Sequence, residues 1–272
     1  MIIGIGMTSR NMKICHIYIC LLAFIILGSK SLSAQENYTI THNDSLALES
    51  VMVERYYVSD SSDYIDTTAD ALPKGSITYR IFIDMKPGYS LQLVYGNKDH
   101  ELVIETSTTF FNNQECRAET GFNIDAKKLH TGTFALDSWI TMGAASRVHT
   151  GIPRAEDTDG FSFITNRDSL NKIDGLTKGV LPNFQIFNLD LKFFGADMNA
   201  SNFHTNNGGW AAFGGVEGPT QENRVLITQL TTNGKLSFKL NVQIGTPTGG
   251  YVKFVADNPI GSEMKFDSLN YN

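Results

Sequence analysis

The segment RVLITQLTTNGKLSFKLNVQI, residues 224–244, carries the clearest structural signal in the chain. Its second half alternates apolar and polar residues, as a strand with one buried face does. Asn233-Gly234 is the favoured pair for a two-residue type I′ turn. The pattern predicts a β-hairpin in which Ile227 pairs with Leu240 and Val225 with Val242. The apolar residues expected on its core face are Val225, Ile227, Leu236, Phe238, Leu240, Val242 and Ile244.

Upstream of this segment, residues 77–111 show the same period-two alternation in three runs. Turn sequences at 86–88 and 96–99 separate the runs, so we expect an antiparallel meander. Further strands are predicted within 133–142, 183–194 and 251–256, and we find no amphipathic helix of several turns. The sequence therefore predicts an all-β protein, an antiparallel β-sandwich or jelly roll with long loops at 112–132, 143–182 and 195–223.

Residues 1–34 match the pattern of a secretory signal peptide. Arg10 and Lys13 precede the apolar run 14–28, and Ser31–Ala34 ends in a small residue suited to cleavage. The apolar run is shorter than the ~20 residues of a spanning helix, so we expect no membrane span after cleavage. This predicts an exported protein, either extracellular or periplasmic. We expect residues 35–258 to form one β-sandwich module rather than two, and 259–272 to form a polar C-terminal tail.

Composition excludes some functions. The formal net charge is −6, and loss of Arg10, Lys13 and Lys30 with the signal peptide would make the chain more acidic. A nucleic-acid partner requires clustered Lys and Arg, so none is expected. After cleavage Cys116 would be the single remaining cysteine, which leaves no intramolecular disulfide.

A calcium site is one hypothesis for the segment Glu156–Gly160. Glu156, Asp157 and Asp159 place three carboxylates beside a glycine, and calcium prefers several closely spaced oxygen ligands. The complete EF-hand spacing is absent, and an acidic surface turn has the same composition. Asp60, Asp63, Asp66 and Asp70 form a second acidic segment. The histidines are scattered without the close spacing of a zinc site.

A ligand-binding site is a second hypothesis, centred on Trp210. The sequence around it, Asn206-Asn207-Gly208-Gly209-Trp210, combines an aromatic ring with two amides in a glycine-rich stretch. An exposed Trp would stack on a sugar ring while Asn206 and Asn207 bind its hydroxyl groups. The alternative is that Trp210 anchors the core, as aromatic residues commonly do in sandwiches.

Catalytic motifs are not found: the sequence has no G-x-S-x-G, H-E-x-x-H, P-loop or Rossmann pattern. Paired carboxylates for glycoside hydrolysis stay open, because distant residues can converge in a fold. Glu101, Glu105, Glu115 and Glu119 are available for such a pair.

Four ordered phrases resemble a known kind of module: residues 77–96, 102–113, 135–146 and 208–250. They are similar to an exported β-rich module of the multi-domain secreted proteins of marine Bacteroidota, in which a type IX secretion sorting domain often follows. The resemblance covers residues 48–258 and implies a secreted or cell-surface β-module without transferring catalytic residues. No sorting-domain pattern is expected in residues 259–272.

Together these observations predict an exported, non-catalytic binding or adhesion module whose partner is a polysaccharide or a cell-surface protein. A structural spacer stabilised by calcium is the alternative, and a secreted hydrolase without a recognisable motif is the third.

Overall fold

A computed structural model describes residues 39–64, 70–165 and 167–272. The predicted signal peptide, 1–34, lies outside the described residues. The described residues fold into an all-β structure, as predicted. They include two single-turn α-helices, α1 (Ser61–Tyr64) and α2 (Lys192–Gly195). No helix within the described residues is long and apolar enough to cross a bilayer. The strands are β1 (Leu48–Val58), β2 (Ile77–Met85), β3 (Ser90–Gly96), β4 (Leu102–Thr106), β5 (Trp139–Ile140), β6 (His149–Gly151), β7 (Leu176–Lys178), β8 (Asn183–Phe187), β9 (Asn202–Thr205), β10 (Gly208–Val216), β11 (Arg224–Thr232), β12 (Leu236–Lys239), β13 (Asn241–Gly245), β14 (Tyr251–Val255), β15 (Met264–Lys265) and β16 (Asn270–Tyr271).

The described strands form three larger sheets and one two-stranded sheet. Sheet A has the order β1-β2-β11-β5, sheet B the order β15-β14-β13-β3-β10-β8, and sheet C the order β16-β12-β4-β9. Strands β6 and β7 form the small sheet. Within these sheets the pairing is antiparallel, except that β14 and β15 run parallel.

The main hydrophobic core draws buried side chains from all three larger sheets. The alternation predicted for residues 236–244 is present, because its apolar residues are buried while Ser237, Lys239 and Gln243 are partly exposed. Asn241 departs from the alternation. It is buried, and its Nδ2 donates to the carbonyl of Tyr95 at 3.1 Å, which compensates for the loss of water.

The predicted hairpin at 224–244 is wrong in its pairing. Strand β11 pairs with β2 and β5 in sheet A, whereas β12 pairs with β4 and β16 in sheet C. Neither Asn233 nor Gly234 has a positive φ, which a type I′ turn requires. Gly234 instead fits a close approach, since a Cβ there would lie 2.5 Å from the hydroxyls of Thr106 and Thr108. Asn233-Gly234 therefore carries the chain from one sheet to another.

The three strands predicted within 77–111 are present, but they do not pair with one another as a meander. Strand β2 lies in sheet A, β3 in sheet B and β4 in sheet C. Strand β2 pairs with β1 and β11, β3 with β10 and β13, and β4 with β12 and β9. Alternation specifies which face of a strand is buried, but it does not specify the strand beside it.

The long loops are largely packed rather than free. Parts of 112–132 and 143–182 cover the outer face of sheet A and build a second hydrophobic cluster around Phe82, Trp139 and Leu226. The loop residues buried in it are Ala118, Ile124, Leu129, Ala145, Ile164, Leu170 and Leu176. The central strands of sheet A, β2 and β11, are therefore buried on both faces. These two loops offer less binding surface than their length suggests.

Residues 259–272 are part of the folded domain, which corrects the expectation of a tail. Strand β15 pairs with β14, and β16 pairs with β12. Leu269 is fully buried in the main core. The buried His100 side chain holds this segment through its Nε2, which lies 2.6 Å from Glu263 Oε2.

Candidate binding grooves

Trp210 is buried and presents no ring face to solvent, which corrects its assignment as a stacking platform. Its exposed fraction is 0%, and its Nε1 donates to the carbonyl of Thr141 at 2.9 Å. In β10 it pairs with Val94 of β3 and Ile186 of β8. A Trp with its N–H satisfied in this way is a core anchor.

Asn206 and Asn207 lie at the surface, in the turn between β9 and β10. Both are exposed, and the backbone N–H of Asn207 donates to Thr205 Oγ1 at 3.2 Å. The structure therefore separates the predicted site: its two amides are accessible, whereas its aromatic ring is not.

The predicted calcium ligands do not converge. Glu156 accepts hydrogen bonds from Thr220 and Arg224, while Asp157 Oδ2 accepts from the N–H of Gly175 at 2.8 Å. Asp159 is exposed, and its Oδ1 accepts from the N–H of Phe161 at 2.8 Å. No group of three or more His, Cys, Asp or Glu side chains in the described part of the chain could hold a metal ion. The carboxylates instead stabilise a loop and an Arg224 ion pair.

The second acidic segment is also engaged in folding. Asp63 is fully buried, forms an ion pair with Arg167 and accepts a hydrogen bond from Tyr57 Oη at 2.8 Å. Asp70 Oδ2 accepts from the N–H of Gln114 at 2.9 Å. Asp66 lies outside the described residues. Buried carboxylates paired in this way hold the loops in place rather than bind a ligand.

A surface groove of about 520 Å³, here called groove 1, lies between residues 188–197 and the edge strand β9. The backbone of Asn188, with a φ of 52°, ends β8 and turns the chain into this wall. Asn112 secures the wall, because its Nδ2 donates to the carbonyls of Phe193 at 2.8 Å and Asp197 at 2.7 Å. Polar and charged residues lining groove 1 include Asn188, Asp190, Lys192, Asp197, Asn202 and His204.

An aromatic cluster supports groove 1 from below. Phe193 lines the groove and is half-buried, and its ring centroid lies 5.8 Å from that of Phe110, 4.9 Å from Phe194 and 5.3 Å from Phe203. Edge-to-face and tilted contacts at these distances fix the orientation of a ring. Groove 1 thus combines a rigid aromatic surface with polar side chains.

A second groove of about 280 Å³, here called groove 2, lies on the outer face of sheet C. Ser237 Oγ donates to Glu105 Oε1 at 3.1 Å, and Lys239 Nζ donates to Asp257 Oδ2 at 2.8 Å. Asn270 and Asn272, near the C-terminal end of the sequence, also line it. The C-terminal segment therefore contributes to this surface.

The two grooves adjoin where β9 pairs with β4. His204 lines groove 1 and is the cross-strand partner of Val103, which lines groove 2. His204 Nδ1 lies 2.9 Å from Oε1 of Glu101, another residue of groove 2. The sides of the two grooves are therefore connected by one hydrogen bond.

No family model, no curated protein and no solved structure matches this chain.

Two of the glutamates that stayed open for a hydrolase pair, Glu101 and Glu105, are engaged in hydrogen bonds. Glu101 accepts from His204 at 2.9 Å, and Glu105 accepts from Ser237 at 3.1 Å.

Ser146 and His149 lie 2.8 Å apart, Oγ to Nδ1, but they form a buried turn. Ser146 Oγ accepts from the N–H groups of Val148 at 3.2 Å and His149 at 3.0 Å, and Ser146 is fully buried. Burial lowers the pKa of His149, with the positive charge of Lys178 acting in the same direction. A hydroxyl that no substrate can reach does not serve as a nucleophile.

Sequence reasoning missed groove 1, although Asn206 and Asn207 directly follow Thr205, which lines it. The signal that was available is the density of Asn and Asp in residues 188–207. The sequence pattern predicts a strand within 183–194, whereas β8 ends at Phe187 and the residues after it form the wall of groove 1.

Proposed function

We propose that this chain is an exported, non-catalytic module that binds polysaccharide through groove 1, in adhesion or glycan capture. The observation that carries the proposal is the composition of groove 1, in which amide, carboxylate and imidazole groups surround the half-buried ring of Phe193. Its volume of about 520 Å³ lies in the usual range of ligand sites.

The chemistry of a sugar matches these groups. Each hydroxyl both donates and accepts hydrogen bonds, and the amides of Asn188 and Asn202 offer both roles. Asp190 and Asp197 accept, and Lys192 donates. An aromatic surface such as Phe193 packs against the apolar face of a sugar ring.

The exposed Asn206 and Asn207 extend the polar surface beyond Thr205, which lines one end of groove 1. We retain these two residues in the proposed ligand site, whereas Trp210 is left out of it because its ring is buried. Export is supported by the signal-peptide pattern of residues 1–34, and it would bring the groove into contact with extracellular or periplasmic glycans.

The test is a binding screen of the purified protein on a broad polysaccharide array, with Asn202→Ala measured beside the parent. Asn202 is exposed at the edge of sheet C and lines groove 1. Loss of one hydrogen-bonding side chain should weaken binding about two- to tenfold. Asn171→Ala is the matched control, because Asn171 is exposed and does not line groove 1.

Absence of binding to every polysaccharide would overturn the proposed function. Binding that Asn202→Ala and Asn171→Ala leave equally strong would move the site away from groove 1. Unchanged melting temperatures of both variants would show that a loss of binding does not come from unfolding.

A further inference from the structure

The surface that joins grooves 1 and 2 is rich in negative charge. Two ammonium groups, Lys192 and Lys239, line the grooves, and Lys239 is already paired with Asp257. The carboxylates that line the two grooves are Asp190, Asp197, Glu101, Glu105 and Asp257. The balance is therefore five carboxylates against two ammonium groups.

The two grooves also provide a continuous polar track. His204 and Glu101 connect their sides through a hydrogen bond of 2.9 Å. Beyond that point sheet C continues through β4, β12 and β16. Four strands spaced by 4.7–4.9 Å give a width of about 14 Å, which exceeds that of one sugar ring. A track of this width suits several consecutive units of a chain.

We infer that the ligand is an extended glycan chain that carries protonated amino groups, bound across grooves 1 and 2. This inference rests on the proposed function and names its substrate class. The carboxylates attract an ammonium group on each unit that passes them, and they repel uronate or sulfate groups. Glu101 and Glu105 are central, because both line groove 2 on either side of Val103, the cross-strand partner of His204.

The side chains of the track are accessible to such a ligand. His204 and Glu101 have exposed side-chain fractions of 64% and 51%. Their contact lies at the surface, where ion pairs and hydrogen bonds contribute little to stability. The carboxylate of Glu101 is therefore accessible to an incoming ammonium group.

The experiment compares three probes of equal length at mildly acidic pH: oligomers of glucosamine, of N-acetylglucosamine and of galacturonate. Affinity for the purified protein should be highest for the glucosamine oligomer and lowest for the galacturonate oligomer. The preference for the amino sugar should decline as salt is added, because exposed charges are screened.

Glu101→Gln and Glu105→Gln remove one charge each while keeping the shape of the side chain. Each should weaken binding of the glucosamine oligomer about two- to fivefold and leave the N-acetylglucosamine oligomer nearly unchanged. Glu49→Gln, at an exposed position on β1, is the matched control and should have no effect.

Equal or tighter binding of the acetylated or acidic oligomer would overturn this inference and leave glycan binding intact. If the preference for the amino sugar persists in Glu101→Gln and Glu105→Gln, the ammonium groups do not bind at these two carboxylates, and the proposed path of the glycan across groove 2 is wrong. Failure of all three oligomers and of the polysaccharide array would overturn the proposed function as well.

Discussion

His204 Nδ1 and Glu101 Oε1 are 2.9 Å apart at the line where the two grooves meet. Both side chains are more than half exposed, so the contact contributes at most about 1 kcal/mol to stability. The pair is accessible to a ligand, and its loss should affect binding more than folding.

We therefore predict that His204→Ala changes the free energy of unfolding by less than about 1 kcal/mol. The same variant should weaken glycan binding measurably, because His204 lines groove 1. Denaturant unfolding and glycan titration of one preparation check both parts. A large loss of stability with unchanged affinity would contradict this division of roles.

Both tryptophans should be shielded from solvent. Trp139 is 2% exposed and Trp210 is 0% exposed. We expect intrinsic fluorescence to be blue-shifted and to resist quenching by iodide in the native protein, and to become quenchable after unfolding in denaturant. Efficient quenching in the native state would show that one of the rings reaches solvent.

Asp137 should make stability depend on pH. The residue is fully buried, and burial raises its pKa to about 8, although the N–H groups of Asn113 and Ala118 donate to it and lower the pKa in part. A raised pKa favours the protonated form in the folded state. Its contribution is therefore complete below about pH 4 and is lost as pH rises towards 8.

Asp137→Asn should be less stable than the parent by about 1–3 kcal/mol, because an amide cannot accept from both backbone N–H groups. Its stability should nevertheless decline less between pH 4 and 8. Asp174, whose pKa burial raises to about 6, contributes a decline of the same sign in both proteins. The measurement is the difference in unfolding free energy across this range, and parallel curves would contradict the role of Asp137.

Calcium should leave the melting temperature unchanged. Glu156, Asp157 and Asp159 make their hydrogen bonds to Arg224 and Thr220, to Gly175 and to Phe161 respectively. No shared oxygen cage results, so neither calcium nor a chelator should shift the midpoint. A calcium-dependent rise in the midpoint would restore the spacer alternative.

Glu263 should hold the C-terminal segment on the domain. Its Oε2 lies 2.6 Å from Nε2 of the buried His100. Replacement of the Glu263 side chain by alanine would leave that imidazole nitrogen without this hydrogen-bond partner. We expect Glu263→Ala to speed hydrogen exchange at the amide of Phe266, which donates to Val255, by about tenfold. Ser262→Ala, at an exposed neighbour, is the control and should exchange like the parent.

The sequence predicted which side chains are buried more reliably than which strands pair. The apolar row from Leu236 to Ile244 lies in the core as expected. The strand beside it could not be predicted, because Asn233-Gly234 fits both a type I′ turn and a close contact with Thr106 and Thr108. Local patterns specify local geometry, whereas the choice of neighbour depends on distant residues.

The glycines around Trp210 led to the wrong prediction that its ring is exposed, for a similar reason. They suggested an open loop, yet Gly209 lies in β10, and a Cβ there would approach the ring of Phe187 to 3.0 Å. It would also lie 2.4 Å from the carbonyl oxygen of Val94, so the glycine allows both β3 and β8 to pair closely with β10. Groove 1 was harder still to predict, since it exists only where residues 188–197 and β9 meet.

The position of β11 in sheet A has a consequence for the order of folding. Its neighbour β2 ends at Met85, whereas β11 spans Arg224–Thr232. A ribosome must therefore add well over a hundred residues after β2 before the centre of this sheet is complete. Pairing across such a separation is slow, so sheet A stays incomplete until late in synthesis. Late completion of a central sheet is compatible with the passage through an export channel that the proposed function requires.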